Sequence, residues 1–291
     1  MDHSYRIGRK LKNLSLFSRK VTEGVLSGNY RTAFKGVGLE FDEVREYVPG
    51  DDVRNIDWNV TSRMNVPYSK KFREERELNV YFLIDVSLSV DSGIGKVSRR
   101  ELAGQIVALL AYSAVMNNDR IGAAFFSDRI EKWIPAMRGR NSVPHLVNNL
   151  LQLKPAGIGS DLSAAVRIAY KEMKRKGVVV IISDFKYQSG WKELTLLSRK
   201  HDVIAVRLAD PSDYRIPGNG TVEYRDAESG KTVVICNVNR RVQDEYREFW
   251  KNQFYFWEEI CARRKIQVVT VSTDEDPVAK LMSVFGESGK R

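Results

Sequence analysis

From Leu78 onward the chain alternates short, continuous apolar runs with longer stretches whose apolar positions lie three and four apart. Asn79-Val80-Tyr81-Phe82-Leu83-Ile84 and Val178-Val179-Val180-Ile181-Ile182 are apolar at consecutive positions, the mark of strands buried on both faces of a parallel sheet. Residues 203–208 and 266–271 also read as strands, and 121–126 pairs with 130–135 as a hairpin. Helices are expected over 98–117, 142–151, 161–175, 191–199, 240–264 and 277–285. This alternation predicts an α/β fold, Rossmann-like and doubly wound, with a mostly parallel sheet. Residues 210–238 interrupt it: 221–225 and 232–237 flank Glu228-Ser229-Gly230-Lys231 and read as an inserted β-hairpin.

The first 78 residues differ in texture. Ile7, Leu11, Leu14, Phe17, Val21, Val25 and Leu26 predict one amphipathic helix over 5–27 with a basic outer face, ended by Gly28-Asn29. Residues 28–72 are punctuated by glycine. Pro49-Gly50 marks a turn, and Asp51 or Asp52 is placed to cap a short helix after it. The expected division is therefore 1–78, a basic helix and a separate segment, and 79–291, the α/β domain.

Composition excludes several classes. Hydrophobic residues make up 43% and charged residues 29%, ordinary for a globular chain. The stretch from Ile106 to Met116 is too short to span a bilayer, and Met1-Asp2-His3-Ser4 opens on no apolar leader, so a cytoplasmic protein without a membrane span is expected. Cys236 and Cys261 lack CxxC spacing and are expected to be buried free thiols. His3, His145 and His201 are scattered, which gives histidine-based metal chemistry no support. Of the net charge of +10, more than half lies within residues 1–38, where eight basic side chains face two acidic ones. With no RNP-like aromatic motif or zinc knuckle beside it, this segment reads as a solvated face or a docking arm for an acidic protein, and no nucleic-acid partner is expected.

Three oxygen-rich loops carry the candidate chemistry. Asp85-Val86-Ser87-Leu88-Ser89 follows the first buried strand, Gly159-Ser160-Asp161 opens a helix, and Ser183-Asp184 follows another buried strand. In an open parallel sheet, ligands sit beyond the carboxyl ends of strands. The donors are carboxylates and hydroxyls without sulfur or imidazole, a set suited to Mg2+ or Mn2+. Ser87 and Ser89, spaced by two, lie on one side of an extended loop together with Asp85. The alternative reading of DxSxS alone is a strand-end turn that caps a helix.

In order and context these loops resemble the metal-ion-dependent adhesion site of von Willebrand factor A domains. The resemblance assigns Asp85, Ser87, Ser89, Ser160 and Asp184 to the metal, with the last aspartate often acting through water and a vacant position filled by a carboxylate of a partner protein. The family usually has threonine where this chain has Ser160. A second resemblance runs over about residues 25–290. Gly38-Leu39-Glu40-Phe41, the stretch Arg45-Glu46-Tyr47-Val48-Pro49-Gly50-Asp51-Asp52-Val53-Arg54-Asn55-Ile56-Asp57-Trp58, Ser62-Arg63 and 226–231 resemble the bacterial family named domain of unknown function 58. Its members are typically encoded beside MoxR-type AAA+ ATPases, to which a chaperone-like role in assembling or activating other complexes is ascribed. Many carry transmembrane helices ahead of the signature.

In the signature, Asp51, Asp52, Asp57, Arg45, Arg54 and Arg63 suit a network of paired charges with Trp58 and Tyr47 as anchors. That network either pins the segment to the α/β domain or docks the ATPase. The expected function is a non-enzymatic, metal-dependent adaptor that binds a carboxylate-bearing protein and works with a MoxR-type ATPase. The alternative is a Mg2+-dependent phosphoester-processing enzyme. Against it, the chain lacks GxxxxGK[ST], and Asp85-Val86-Ser87 lacks the second aspartate of a DxD phosphatase loop. No base or nucleophile is expected beside the ion.

Overall fold

A computed structural model describes residues 40–73, 77–186, 190–225 and 231–287. The helix expected over 5–27, the start of the signature at 38–39 and the turn residues 226–230 lie outside them. The chain divides into two compact units, Lys35–Glu77 and a larger one containing Leu78–Arg291.

In the smaller unit β1 (Glu40–Glu46) pairs antiparallel with β2 (Tyr68–Arg73). Sequence patterning does not reveal this pair, because Glu-Phe-Asp-Glu-Val-Arg-Glu has no apolar run. Between the strands, Asp52 caps a 3-10 turn over Val53–Asn55 and Asp57 caps α1 (Trp58–Met64), accepting from Asn59 and Val60. The charges of the signature do pair, but within this unit: Arg45 with Asp51 at 2.8 Å, Arg54 with Asp52 at 2.7 Å, and Lys70 rather than Arg63 with Asp57 at 3.3 Å. Trp58, expected as an anchor, is 70% exposed.

The larger unit is built on a six-stranded sheet. Its strands are β3 (Asn79–Asp85), β4 (Arg120–Phe126), β5 (Ile130–Met137), β6 (Val178–Ser183), β7 (Asp202–Ala209) and β10 (Gln267–Ser272), in the order β10-β7-β6-β3-β4-β5. All neighbours are parallel except β4 and β5. The helices are α2 (Leu88–Asp91), α3 (Arg99–Met116), α4 (Ser142–Gln152), α5 (Leu162–Glu172), α6 (Trp191–Lys200), α7 (Arg240–Arg263) and α8 (Pro277–Glu287). No helix of the described residues is long and apolar enough to cross a membrane.

Alternation along β3 splits the core in two. Phe82 and Ile84 join a cluster with α3, α4 and α8, whereas Tyr81 and Leu83 join another with α5, α6 and α7. Covered on both faces, the inner strands need no polar positions, which is why they read as unbroken apolar runs. Helix α5 stops at Glu172, short of the expected Arg175. There Met173 leaves the helix and is buried in the second cluster, and Lys200 Nζ takes its carbonyl at 2.7 Å. A separate antiparallel pair, β8 (Gly220–Arg225) and β9 (Thr232–Val238), lies within the segment where the alternation breaks. Both cysteines are free, but Cys236, expected buried, is exposed because it sits on β9, whose residues mostly face solvent.

His201 is 2% exposed, and neither ring nitrogen has a hydrogen-bond partner among the described residues. Burial pushes its pKa down to about 4, with the nearby Lys200 charge adding to the effect. The unfolded chain therefore binds more protons than the folded one between about pH 4 and 6.5. His201 supports the fold fully above that window, and the support is lost as pH falls through it. The urea midpoint should drop more between pH 7 and pH 4.5 in wild type than in His201→Leu. Parallel losses in the two proteins would show that this histidine does not set the acid limit.

Candidate metal centre

Strands β3 and β6 are neighbours, yet the chain leaves β3 through α3 on one face of the sheet and β6 through α6 on the other. Their carboxyl ends therefore flank the switch point, where connections diverge and a crevice opens. All three oxygen-rich loops meet there.

Asp85, the last residue of β3, is fully buried and gathers the loops around its carboxylate. Oδ2 accepts from Ser160 Oγ at 2.8 Å and from Ser183 Oγ at 2.7 Å, and Oδ1 accepts from the Ser87 amide at 2.9 Å. The Ser87 and Ser89 hydroxyls lie 3.1 Å apart. They do so without the expected extended loop: Ser87 is the N-cap of α2, and Ser89 sits in that helix's first turn. Ser87 and Ser183 are fully buried, whereas Ser89 and Ser160 are half-buried and form the more open side.

Asp184 completes the set. It is 2% exposed, its Oδ2 has no hydrogen-bond partner among the described residues, and its Oδ1 receives only a long bond from the Lys186 amide at 3.3 Å. Burial, followed by the charge of Asp184, pushes the Asp85 carboxyl up to about 6, while the Ser87 and Ser183 hydroxyls oppose the rise. The loop turns sharply after Asp184. Phe185 has φ 52°, a left-handed conformation rare for an aromatic residue. Its ring packs on Trp257 at 4.5 Å and its amide donates to Ser183 Oγ at 3.0 Å. Ser183 thus accepts from Phe185 and donates to Asp85.

The five residues singled out in the sequence, Asp85, Ser87, Ser89, Ser160 and Asp184, all belong to this one region. Ser183 is a further member. Its loop was legible, but its bond to Asp85 depends on β3 and β6 being neighbours. Glu131 was not legible at all. Its Oε1 accepts from Ser127 Oγ at 2.5 Å and from the amides of Ala156 and Gly157 at 3.1 and 2.8 Å, and so holds the loop that carries Ser160. Among the described residues no three of His, Cys, Asp and Glu gather as metal ligands. The cluster at Asp85 has two carboxylates, and its remaining donors are hydroxyls.

Fold and cluster together define an α/β protein with a mostly parallel six-stranded sheet and a buried carboxylate–hydroxyl centre at its carboxyl edge. Residues 43–254 match the family described as Protein of unknown function DUF58, and the chain belongs to that family. Uncharacterized proteins of Mycobacterium bovis and Mycobacterium tuberculosis are each 32% identical to it over 244 residues, covering 83% of this chain and 77% of theirs. Among solved structures, it is similar to the conserved hypothetical protein BatB from Bacteroides thetaiotaomicron, at 17% identity and a TM-score of 0.48, over 74% of this chain and 100% of that one. An aerotolerance-related membrane protein from Bacteroides fragilis gives the same values.

Gly157 permits the close approach of the second loop. A Cβ there would lie 2.1 Å from both Ser127 Oγ and Asp128 Oδ1. Gly157→Ala should lower unfolding stability in urea by about 1–3 kcal/mol, the usual cost of overpacking. An unchanged midpoint would show that the loop moves aside freely.

Proposed function

We propose that this protein is a non-enzymatic, metal-dependent adaptor whose centre at Asp85, Ser87, Ser89, Ser160 and Asp184 holds Mg2+ or Mn2+. The reading rests on one observation above all. Among the described residues, a buried Asp184 oxygen without a partner lies near a buried Asp85 carboxylate that draws on hydroxyls from the other loops. An unpaired carboxylate oxygen in such a place is costly, and a hard cation among neutral hydroxyls satisfies it. The donor set fits that ion: carboxylates and hydroxyls, with neither thiolate nor imidazole.

The order of loops around the switch point supports a von Willebrand factor A-type domain. A cation held there offers an exchangeable position to an anionic oxygen, supplied in this reading by an aspartate or glutamate of a protein partner. The chain's own residues divide the work. Asp85 and Asp184 supply charge, the hydroxyls fill positions without adding more, and half-buried Ser89 and Ser160 leave the centre reachable from outside. Membership of the DUF58 family supports a MoxR-type AAA+ ATPase as the second partner and an assembly or activation role for the pair. One coordinated carboxylate is a modest contribution to affinity, so surrounding surface has to contribute as well.

Calorimetry should show wild type binding Mg2+ and, separately, Mn2+, with binding lost in the near-isosteric Asp85→Asn. Its circular dichroism should match wild type, since the substitution removes charge at a strand end and leaves the core filled. Equal metal binding by the two proteins would end the proposal.

A protein that co-purifies with this chain should dissociate in EDTA and return with Mg2+, at low and high salt alike. Retention that ignores chelation would remove the metal from partner binding.

A further inference from the structure

Behind the Asp85 cluster lies a second group of charges that the metal reading does not use. Arg99, at the start of α3, is 0% exposed, and Asp213, in the 3-10 turn after β7, is 1% exposed. The two form a buried ion pair. Arg99 Nη1 also donates to the carbonyls of Ser89 at 3.4 Å and Ser92 at 2.8 Å, and Nε donates to that of Leu208 at 3.3 Å. From the opposite side Lys186 Nζ reaches the same Asp213 Oδ1 at 2.8 Å. The amide of Lys186 donates to Asp184 Oδ1, and the Lys186 ammonium lies 5.0 Å from the Trp250 ring centroid. Asp213 Oδ2 accepts the Asp210 amide at 2.9 Å. Through two cations, one buried carboxylate ties the Ser89 turn to the Asp184 loop.

Such a pair is weak evidence for stability, because the cost of desolvating both charges offsets their attraction. Its geometric effect is stronger. A planar guanidinium fixes several acceptors in one frame, here two carbonyls of the first metal-site turn and one of β7. Resting on the metal reading above, we infer that Asp213, Arg99 and Lys186 are positioning residues. They set the separation of the Asp85-Ser87-Ser89 turn from the Asp184 loop, and hence cation affinity, without touching the ion.

Electrostatics and positioning give Lys186 opposite signs, which makes it the test. If it acted only through its charge, removing a cation beside the centre would tighten Mn2+ binding. If it positions Asp184, removal weakens binding even though repulsion is relieved. Asp213→Asn would strand the buried Arg99 charge and endanger the fold, so the half-buried Lys186 is the residue to change. In Mn2+ titrations of the full chain, Lys186→Met should raise the dissociation constant roughly tenfold, as loss of such outer partners does at metal sites, and Lys186→Arg should restore it. Binding by Lys186→Met as tight as wild type, or tighter, overturns the inference. If wild type itself takes no Mn2+, the metal reading fails, and positioning is judged in the metal-free protein. There, faster hydrogen exchange of the Ser87 and Phe185 amides in Lys186→Met sustains it, and unchanged exchange overturns it.

Discussion

Burying a carboxylate at the end of β3 constrains everything around it. A side chain with no access to water must find donors within reach, and Asp85 finds them on its own turn, on the loop before α5 and at the end of β6. Those bonds are possible only because β3 lies beside β6 and the crossovers leave on opposite faces. The sheet order and the cluster are thus one requirement seen from two sides. Had α3 and α6 packed on the same face, the crevice that admits Ser160 would be filled by a helix.

How much of this can be read from residues alone depends on what each element buries. The inner strands announce themselves because both faces are apolar, and α4 through α8 do so through a single buried stripe. The DxSxS turn, Ser160 and Asp184 stand out because each directly follows an apolar run or opens a periodic one. What escapes is whatever depends on distant pairing. The β1–β2 pair has charged residues at most positions and little apolar signal. Arg99 and Asp213 are read by default as surface charges, since such residues are seldom fully buried unless paired, and their pairing spans more than a hundred residues of chain. Glu131 belongs to an edge strand and gives no sign that it holds a loop beyond residue 155. Cys236 illustrates the converse, a residue type usually buried but placed on a solvent-facing strand.

The smaller unit poses a different physical problem. Its apolar side chains Val48, Val53, Trp58, Met64 and Val66 are all exposed, while its ion pairs lie at or near the surface. Exposed pairs contribute little each, because water and salt screen them. Its local order rests instead on the Asp52 and Asp57 caps and on the β1–β2 ladder, together with the Asp57 amide donating to the Tyr68 carbonyl at 2.8 Å. The aspartates of the family signature are thereby accounted for as caps and local ion-pair partners. That leaves Val48, Val53 and Trp58 as apolar signature residues whose exposure these local interactions do not explain.

Two buried aspartates at the same sheet edge, Asp85 and Asp210, have their charges met in different ways. Asp210 follows β7 as Asp85 ends β3, and it is 1% exposed. Its oxygens accept amides from Ile94, Gly95 and Ser212 and the hydroxyl of Thr273, all between 2.7 and 3.0 Å. Burial works against its charge, but these donors overcome it and hold the carboxyl well below its usual range. Asp210 is self-sufficient, and the tight Gly93–Gly95 loop folded over it leaves no room for an ion: a Cβ on Gly95 would lie 1.9 Å from Thr273 Oγ1. Asp85 has comparable burial and three donors against four, yet its carboxyl moves in the opposite direction. The difference is Asp184, a second buried carboxylate with an oxygen that no described residue satisfies. Hydrogen bonds from hydroxyls can stabilise one buried carboxylate. Two close together need positive charge. Lys186, whose own amide reaches Asp184, is drawn to Asp213, and the buried Arg207 guanidinium, which also feels the Asp184 charge, donates to the Tyr214 hydroxyl. The fold therefore satisfies one carboxylate mainly with backbone amides and leaves the other pair to hydroxyls, two of them on the half-buried residues Ser89 and Ser160.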